Sequence, residues 1–345
     1  MRSVYYGIKD DPPNEKGGSR MNENYNEYIP YDEDNENYLK RNILKLSAQM
    51  KNDVSLNIES REILEKVQAA LLDLNKKTSD CGCNRLSDAL RRTFDDIDIT
   101  MKTKSPVRGI SCGFSIIDIS AGGFRPSDFI VIYGNEEIQY LTLSMAAHIC
   151  LFQNKPTAYF SLGKSDIFLI KIMLCRETEV KYGNLNCGLL NSKDFCSIVK
   201  TAGKITDAPF YIFDEPDMSI LDIYTQAVKL KNSKNIEIIF IDNFNLIHTQ
   251  NYTFISKIIK RLTRELAIPI VVLYDNSAKV SDFSFNNADL WKTINRDADM
   301  IIGLKGSNNE KRTLCLEKNR YGRTGGMKID YDPSCLKFFE TSMEV

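Results

Sequence analysis

Short apolar runs alternate with helix-like segments along most of the chain. The runs typical of buried strands lie at 129–133, 157–161, 210–213, 236–241, 268–274 and 300–304. Between them, apolar residues recur every three or four positions, which predicts helices at 141–152, 165–176, 192–203, 219–230 and 253–266. Strands that are apolar throughout and are separated by helices indicate a mostly parallel sheet with both faces covered. The pattern therefore predicts an α/β, doubly wound fold.

The regions flanking these strands follow other patterns. Residues 313–340 have the character of antiparallel strands with Gly-rich turns, which we expect to extend the sheet as a C-terminal hairpin. Residues 38–104 have helical periodicity and predict a helical linker region, followed by the sheet domain at 105–341. Another amphipathic stretch within this region, 86–98, predicts a separate helix.

The N-terminal segment, residues 1–37, predicts a disordered acidic tail. From Met21 to Asn37 it contains six carboxylates and no Lys or Arg, a composition that cannot bury enough apolar area to order itself. The codons of Lys16-Gly17-Gly18, just before Met21, can resemble a bacterial ribosome-binding site. We therefore expect translation to start at Met21.

Composition and charge exclude several classes of protein. Lys and Arg number 45 against 46 Asp and Glu, so the chain as a whole is not a basic nucleic-acid binder. No apolar run reaches the length of a membrane-spanning helix, and the first residues lack the apolar core of a secretory signal. The nine cysteines are odd in number and scattered, as expected of reduced thiols. These features predict a cytoplasmic protein without a membrane partner.

The loop after the first strand is the natural place for a phosphate, because ligands of doubly wound sheets bind at the carboxyl ends of strands. Phosphate loops follow the pattern G-x-x-x-x-G-K-[ST]. Gly134 and a trailing Thr142 fit, but Gln139, Tyr140 and Leu141 replace the Gly-Lys-Thr core, and two carboxylates enter the loop. A carboxylate about 4 Å from a phosphate costs roughly 4 kcal/mol at an effective dielectric near 20. The sequence therefore predicts weak nucleotide binding or none.

Asp242 directly follows the strand at 236–241. A carboxylate in this position holds magnesium in many nucleotide hydrolases. The alternative is an Asp that stabilises a turn, and the sequence leaves both interpretations open.

Several blocks, in this order and at these spacings, resemble the C-terminal ATPase domain of DnaB-type replicative helicases, a RecA-like fold. They are 109–114, 126–130, 160–162, 208–212, 265–270, 297–299 and 318–325, where Lys318-Asn319-Arg320-Tyr321-Gly322-Arg323-Thr324-Gly325 is similar to the family's K-x-R-N-G-x-T-G. The resemblance covers about residues 84 to 340. It implies ATP and magnesium as cofactors, a hexameric ring of this chain or of an active helicase, and single-stranded DNA as a partner.

Departures from the family pattern concentrate at catalytic positions. Gly163 stands where the resemblance implies the Glu that polarises the attacking water, Asn245 replaces a Gln, and Tyr274-Asp275 replaces a Ser-Gln pair. Lys318 and Arg320 match residues that reach a neighbouring subunit's γ-phosphate, the Arg acting as a finger. The alternative for this pair is a basic hairpin with no nucleotide nearby.

Contacts with single-stranded DNA are harder to assign from sequence. Basic residues cluster at Lys229, Lys231 and Lys234 and again at Lys257, Lys260, Arg261 and Arg264, either as solvated helix faces or as a phosphate track. The resemblance places Trp291 in a DNA-facing loop, where it would stack on a base.

Three functions fit these observations. The favoured one is a DnaB-like homologue in DNA replication, with ATP hydrolysis lost or weakened, that acts as a non-catalytic ring subunit or regulator. The others are an active helicase with a divergent phosphate loop and a nucleotide-independent interaction scaffold.

Overall fold

The computed structural model describes residues 33–56, eight positions between 58 and 70, and the ranges 85–103, 105–247, 252–275, 285–306 and 311–340. The chain separates into two compact units, Met1–Cys83 and Asn84–Val345. Most of the predicted acidic tail and the expected start at Met21 lie outside the described residues.

In the first unit, helix α1 spans Glu33–Ser55. It begins inside the segment predicted to be a disordered tail, five residues before the helical region predicted from Tyr38. Acidic residues are favourable at a helix N-terminus because the helix dipole is positive there, which explains how the acidic sequence can enter the helix.

The second unit is built on a nine-stranded sheet in the order β3-β2-β4-β5-β1-β6-β7-β8-β9. The strands β1 to β6 are parallel to one another, and β7 to β9 continue the sheet in antiparallel fashion. Their bounds are Phe129–Gly134, Thr157–Ser161, Phe210–Phe213, Ile238–Asp242, Ile270–Asp275, Met300–Lys305, Arg312–Asn319, Gly325–Asp332 and Lys337–Glu340. This arrangement confirms the predicted α/β fold with its antiparallel extension, which has three strands and not one hairpin.

Helices flank the sheet. In chain order, α2 to α10 span Leu86–Thr103, Ser115–Ser120, Ile138–Phe152, Asp166–Thr178, Tyr182–Cys187, Ser192–Thr206, Ile220–Lys234, Tyr252–Leu266 and Phe285–Asp297, and a short 3-10 helix covers Phe244–Leu246. Side-chain caps at Ser165, Asn191 and Ser219 fix where α5, α7 and α8 begin. Helix α4 lies in the core, because Leu141, Leu143, Met145 and Ile149 are buried on several of its sides.

The strand register defines two edges of this sheet. At the carboxyl edge, Gly134 is aligned with Asp275 and Ser161 with Asp242. At the opposite, amino edge, Met300 is aligned with Asn319, next to Arg320. A six-residue strand separates the edges by about 20 Å, so groups at the two edges cannot serve one small ligand.

Trp291 lies on α10 and not in a loop, which corrects the prediction from the resemblance. Its ring contacts Tyr133 and Tyr274, at centroid distances of 5.0 and 6.0 Å. Tyrosines at the ends of two core strands therefore hold the indole, and the structure gives no support for base stacking by Trp291.

Among the described residues, none of the helices combines the length and apolar character needed to cross a membrane.

Candidate functional site

The loop after β1 closes on itself. Helix α4 begins at Ile138, three residues before the predicted start, so the open loop contains only Asn135, Glu136 and Glu137. The Glu137 amide donates to Asn135 Oδ1 at 3.2 Å, and the Ile138 amide donates to the Asn135 carbonyl at 2.9 Å. A phosphate loop works by offering such amides to the ligand. Here two of these amides donate to Asn135 within the loop.

A buried ion pair occupies the mouth of this loop. Glu137 accepts two hydrogen bonds from Arg312 on β7, at 2.5 and 2.6 Å, and the two side chains are only 13% and 11% exposed. The Arg312 guanidinium also lies 4.6 Å from the centre of the Tyr331 ring. Paired carboxylate and guanidinium groups in this geometry satisfy each other's charge. The loop thus carries an internal anion and cation where an ATPase would hold a phosphate and a lysine.

The three residues that replace the phosphate-binding core, Gln139 to Leu141, pack against other parts of the protein. The Tyr140 ring stacks on Tyr331 with centroids 6.3 Å apart, beside Gln139, and Leu141 is fully buried. Thr142 is also buried, and its hydroxyl donates to the Ile138 carbonyl within the helix. Leu141 has no side-chain oxygen, and the Thr142 hydroxyl is buried and bonded within the helix, so neither side chain presents an oxygen at the surface of the loop.

A glycine is needed at position 134 because another group lies close to its backbone, but that group belongs to the protein. A Cβ at this position would lie 3.0 Å from Leu304 Cβ and 3.1 Å from the Leu304 carbonyl oxygen. The glycine expected to admit a phosphate therefore admits strand β6.

Asp242 ends β4 at the carboxyl edge and is buried. Burial raises its pKa to about 6, with a further rise from Asp275, while the Tyr159 hydroxyl and the Lys164 ammonium offset part of the effect. Magnesium at a nucleotide site is held by only one or two protein oxygens, together with water and the phosphates of the nucleotide. Within the described ranges, no group of three or more Asp, Glu, His or Cys side chains could hold a metal. The residues of the loop after β1, where Glu137 pairs with Arg312 and Tyr140 stands in place of a lysine, do not fit the phosphates of a magnesium–ATP complex.

Gly163 follows β2 at the same edge. A Cβ there would lie 3.1 Å from Leu246 Cδ1 and 3.5 Å from Asn243 Nδ2. The position faces the short 3-10 helix, which includes the backbone of Asn245, whose side chain lies outside the described residues. No carboxylate stands at Gly163 to orient a water molecule.

A cationic pocket of about 500 Å³ opens at the amino edge. Ala298, Asn319 and seven charged residues line it. Five of the charged side chains are basic and two are acidic: Lys260, Arg264, Arg296, Lys318, Arg320, Asp297 and Asp299. An excess of positive charge in a concave site favours an anionic ligand. The sequence had singled out Lys318 and Arg320 as a pair. It also listed Lys260 and Arg264 among the basic residues, but only the fold brings all of these groups together.

Lys318 and Arg320 line the same pocket but make different contacts. Lys318 Nζ donates to the Asn295 carbonyl at 2.5 Å, at the end of α10, where a cation is favourable. The Arg320 guanidinium donates to Asp299 Oδ1 at 2.7 Å, and its side chain is 61% exposed. Of the two, Arg320 is the group that can reach a ligand outside the chain.

Comparisons with known proteins identify the family of this chain. Residues 109–340 match the DnaB-like helicase C-terminal domain family. The chain belongs to this family. The replicative DNA helicase DnaB of Treponema pallidum is 33% identical over 318 residues, which cover 87% of this chain and 72% of that protein. The DnaB of Geobacillus stearothermophilus is 25% identical, over 80% of this chain and 66% of that protein.

Solved structures confirm the DnaB-type fold. A structure described as an ATPase domain superposes with a TM-score of 0.67 at 18% identity, over 75% of this chain and 99% of that one. A DnaB-like replicative helicase, described with its interactions with primase, gives a TM-score of 0.63 at 18% identity, over 88% of this chain and 77% of that one. The RecA-like fold expected from the resemblance is therefore present in this DnaB-like chain.

The state of Asp242 in this DnaB-like chain leads to a first prediction, on stability. Its raised pKa means that the folded chain binds the proton more tightly than the unfolded chain, whose Asp has a pKa near 4. This contribution to stability is present at low pH and is lost as pH rises from about 4 to about 6. At pH 7.5 we expect Asp242→Asn to raise the free energy of unfolding by about 1–3 kcal/mol, a gain that shrinks towards pH 4.

Urea unfolding of both proteins across this pH range measures the effect. If Asp242→Asn were less stable at pH 7.5, the carboxylate would have a favourable partner in the folded chain, and Asp242 would not be destabilised by burial.

Proposed function

We propose that this chain is a DnaB-like protein of DNA replication in which ATP hydrolysis is lost or severely weakened, and that it acts as a non-catalytic subunit or regulator of an active helicase ring. The contrast between the two edges carries the proposal. The carboxyl edge, which would hold the chain's own nucleotide, is filled by Glu137, Arg312 and Tyr140. The amino edge keeps a cationic pocket with an exposed Arg320.

ATP and magnesium, the cofactors implied by the family resemblance, then bind this chain weakly or not at all. A nucleotide would have to displace the Glu137–Arg312 pair, and Tyr140 and Leu141 stand where the loop pattern has its lysine and its metal-binding hydroxyl. Millimolar affinity corresponds to only about 4 kcal/mol of binding free energy. A single uncompensated charge in the loop is enough to remove that amount.

The positions of the two sites favour head-to-tail assembly. Because Arg320 lies at the amino edge, about 20 Å from the loop after β1, it cannot serve the chain's own loop. In a head-to-tail ring, one face of each subunit meets a different face of its neighbour. Arg320 would then meet the nucleotide of an active neighbour. The filled loop of this chain would hold no nucleotide for the subunit on its other side.

Exposed apolar surface supports assembly with another DnaB-type chain. Helix α2 has no buried residue and presents an apolar stripe spaced every three or four positions: Leu86, Leu90, Phe94, Ile97 and Met101. Further exposed apolar side chains lie on or beside α5 to α7: Ile167, Leu189, Phe195 and Val199. Such surfaces usually mark contacts with other chains.

Binding of single-stranded DNA stays a prediction. The resemblance also places a DNA-contacting loop at 248–253, which is short in this chain and includes residues outside the described ranges. In the basic cluster on α8, Lys231 donates to the Ile236 carbonyl and Lys234 lies 5.9 Å from the Tyr211 ring, so these two cations have partners within the chain.

The proposal predicts that Arg320 changes the activity of a partner. An active DnaB-type helicase is titrated with wild-type chain or with Arg320→Ala, and steady-state ATP hydrolysis is measured. Because an arginine finger contributes about 10³ to 10⁵ to such rates, we expect hydrolysis per mixed ring to fall by about an order of magnitude or more in the variant.

Arg323→Ala is the matched control, since it removes the same charge three residues further along, and Arg323 does not line the pocket. Wild type and control should give the same titration curve. Identical curves for wild type and Arg320→Ala would contradict the proposal and favour the interaction scaffold. Co-purification of the chain with the helicase shows whether mixed rings have formed.

A further inference from the structure

The turn that carries Arg320 is fixed by its own side chains. Asn319 Nδ2 donates to the Ser120 carbonyl at 3.0 Å and to the Arg323 carbonyl at 2.9 Å. Asn319 Oδ1 accepts from the Tyr321 amide at 3.0 Å. These bonds close residues 319–323 into a tight turn and attach it to the end of α3.

Asp299 holds the guanidinium from one side. Its Oδ1 accepts from Arg320 Nη1, and its backbone carbonyl accepts from the Arg320 amide at 3.1 Å. Its Oδ2 accepts from the first amide of β1, at Phe129, at 2.9 Å, and from Lys260 Nζ. Since the Asp299 side chain is only 5% exposed, it is itself immobilised on the central strand of the sheet.

Tyr321 holds the turn from the other side. Its hydroxyl donates to Asp128 Oδ1 at 2.5 Å, and the Arg125 guanidinium lies 3.8 Å from the centre of its ring. Arg125 is anchored by a hydrogen bond from Nε to the Ala121 carbonyl, and Asp128 is 1% exposed. The helicase motif that this segment resembles has Asn at this position. The tyrosine therefore adds an anchor that the shorter side chain could not reach.

We propose that Asp299 and Tyr321 are positioning residues that clamp Arg320 in one orientation, so that this chain offers a neighbouring nucleotide a fixed arginine. The inference rests on the proposed function. A fixed finger needs no ordering when the transition state forms, and positioning of this kind lowers the activation barrier. Among the described residues, the Arg320 guanidinium has a hydrogen-bonded partner only at Nη1, so its remaining donors are available for phosphate oxygens.

The clamp is testable in the isolated chain, without any helicase. Hydrogen exchange is measured for peptides covering residues 317–325 in wild type, Tyr321→Phe and Tyr321→Asn. A lost hydrogen bond of ordinary strength corresponds to about threefold to tenfold faster exchange. We expect that change in the turn for Tyr321→Asn, a smaller one for Tyr321→Phe, which keeps the ring on Arg125, and none for the control Tyr211→Phe on the far edge strand.

The positioning role is tested in the mixed-ring titration. With Tyr321→Asn or Asp299→Asn, we expect kcat to fall about threefold to tenfold while KM for ATP is unchanged, because only the orientation of a transition-state contact is lost. Thermal melting of each variant checks that the chain is folded at the assay temperature. A merely structural role would lower stability and leave the kcat of folded mixed rings unchanged.

The outcomes separate the two proposals. Unchanged exchange in Tyr321→Asn overturns the clamp, whatever the helicase does. Faster exchange with unchanged kcat also overturns it, provided that Arg320→Ala lowers kcat. If Arg320→Ala itself has no effect, the proposed function fails, and a clamp seen by exchange would have no reaction to serve.

Discussion

Arg312→Ala should destabilise the folded chain by about 3–5 kcal/mol, the cost of leaving a buried charge without its partner. Arg312 and Glu137 are both nearly buried, and the guanidinium makes two hydrogen bonds to the carboxylate. Without Arg312, the Glu137 carboxylate would have to be solvated or protonated inside the closed loop. Urea unfolding, followed by circular dichroism and by the fluorescence of the single Trp291, measures the loss.

The double variant Glu137→Leu with Arg312→Met is the control for this prediction. Replacing a buried ion pair by apolar side chains of similar volume is often neutral or stabilising. We therefore expect the double variant to keep most of the stability that Arg312→Ala loses. A loss below about 1 kcal/mol in Arg312→Ala would show that the pair behaves like a surface salt bridge. The loop would then be held closed by the stacked tyrosines instead.

The strands and most helices could be predicted from the sequence because their signals are local. The six parallel strands were all located within two residues at each end, since each is a continuous apolar run between polar segments. Helices α3, α6 and α10 were missed. The first two have only six residues each, too short for a periodic pattern to emerge, and α10 was assigned to a loop from the resemblance.

The loss of the phosphate-binding pattern was also visible in the sequence, but what replaced it was not. Gln139, Tyr140 and Leu141 depart from a motif of fixed spacing, so their difference can be seen directly. Arg312 lies 175 positions from Glu137, and only the antiparallel extension of the sheet brings them together. The same holds for Asp299 and Lys260 at the amino edge, where contacts between distant elements decide which charges are paired.

Restoring the phosphate loop should require removal of Glu137 as well as the family's missing residues. In the variant Gln139→Gly, Tyr140→Lys and Leu141→Thr, the Glu137–Arg312 pair still occupies the loop, so we expect ATP to bind no better than about 1 mM. Adding Glu137→Ser removes the repelling carboxylate and leaves Arg312 as a second cation next to the phosphates. We expect this variant with four substitutions to bind ATP about tenfold to 100-fold more tightly than the variant with three, since each factor of ten in affinity requires only about 1.4 kcal/mol. Calorimetry with ATP and magnesium measures the difference.

Binding alone should not restore hydrolysis. The variant with four substitutions still has Gly163 where a carboxylate would orient the attacking water. We therefore expect ATP turnover only after Gly163→Glu is added. The new side chain can be accommodated, because the atom nearest to its Cβ, at 3.1 Å, is the end of the Leu246 side chain, which is 38% exposed and can move. Gly163→Gln is the control, since it has the same size without the charge. Turnover in the variant with four substitutions, or equal turnover with Gln and Glu at 163, would show that another group activates the water. The position assigned to the catalytic carboxylate would then be wrong.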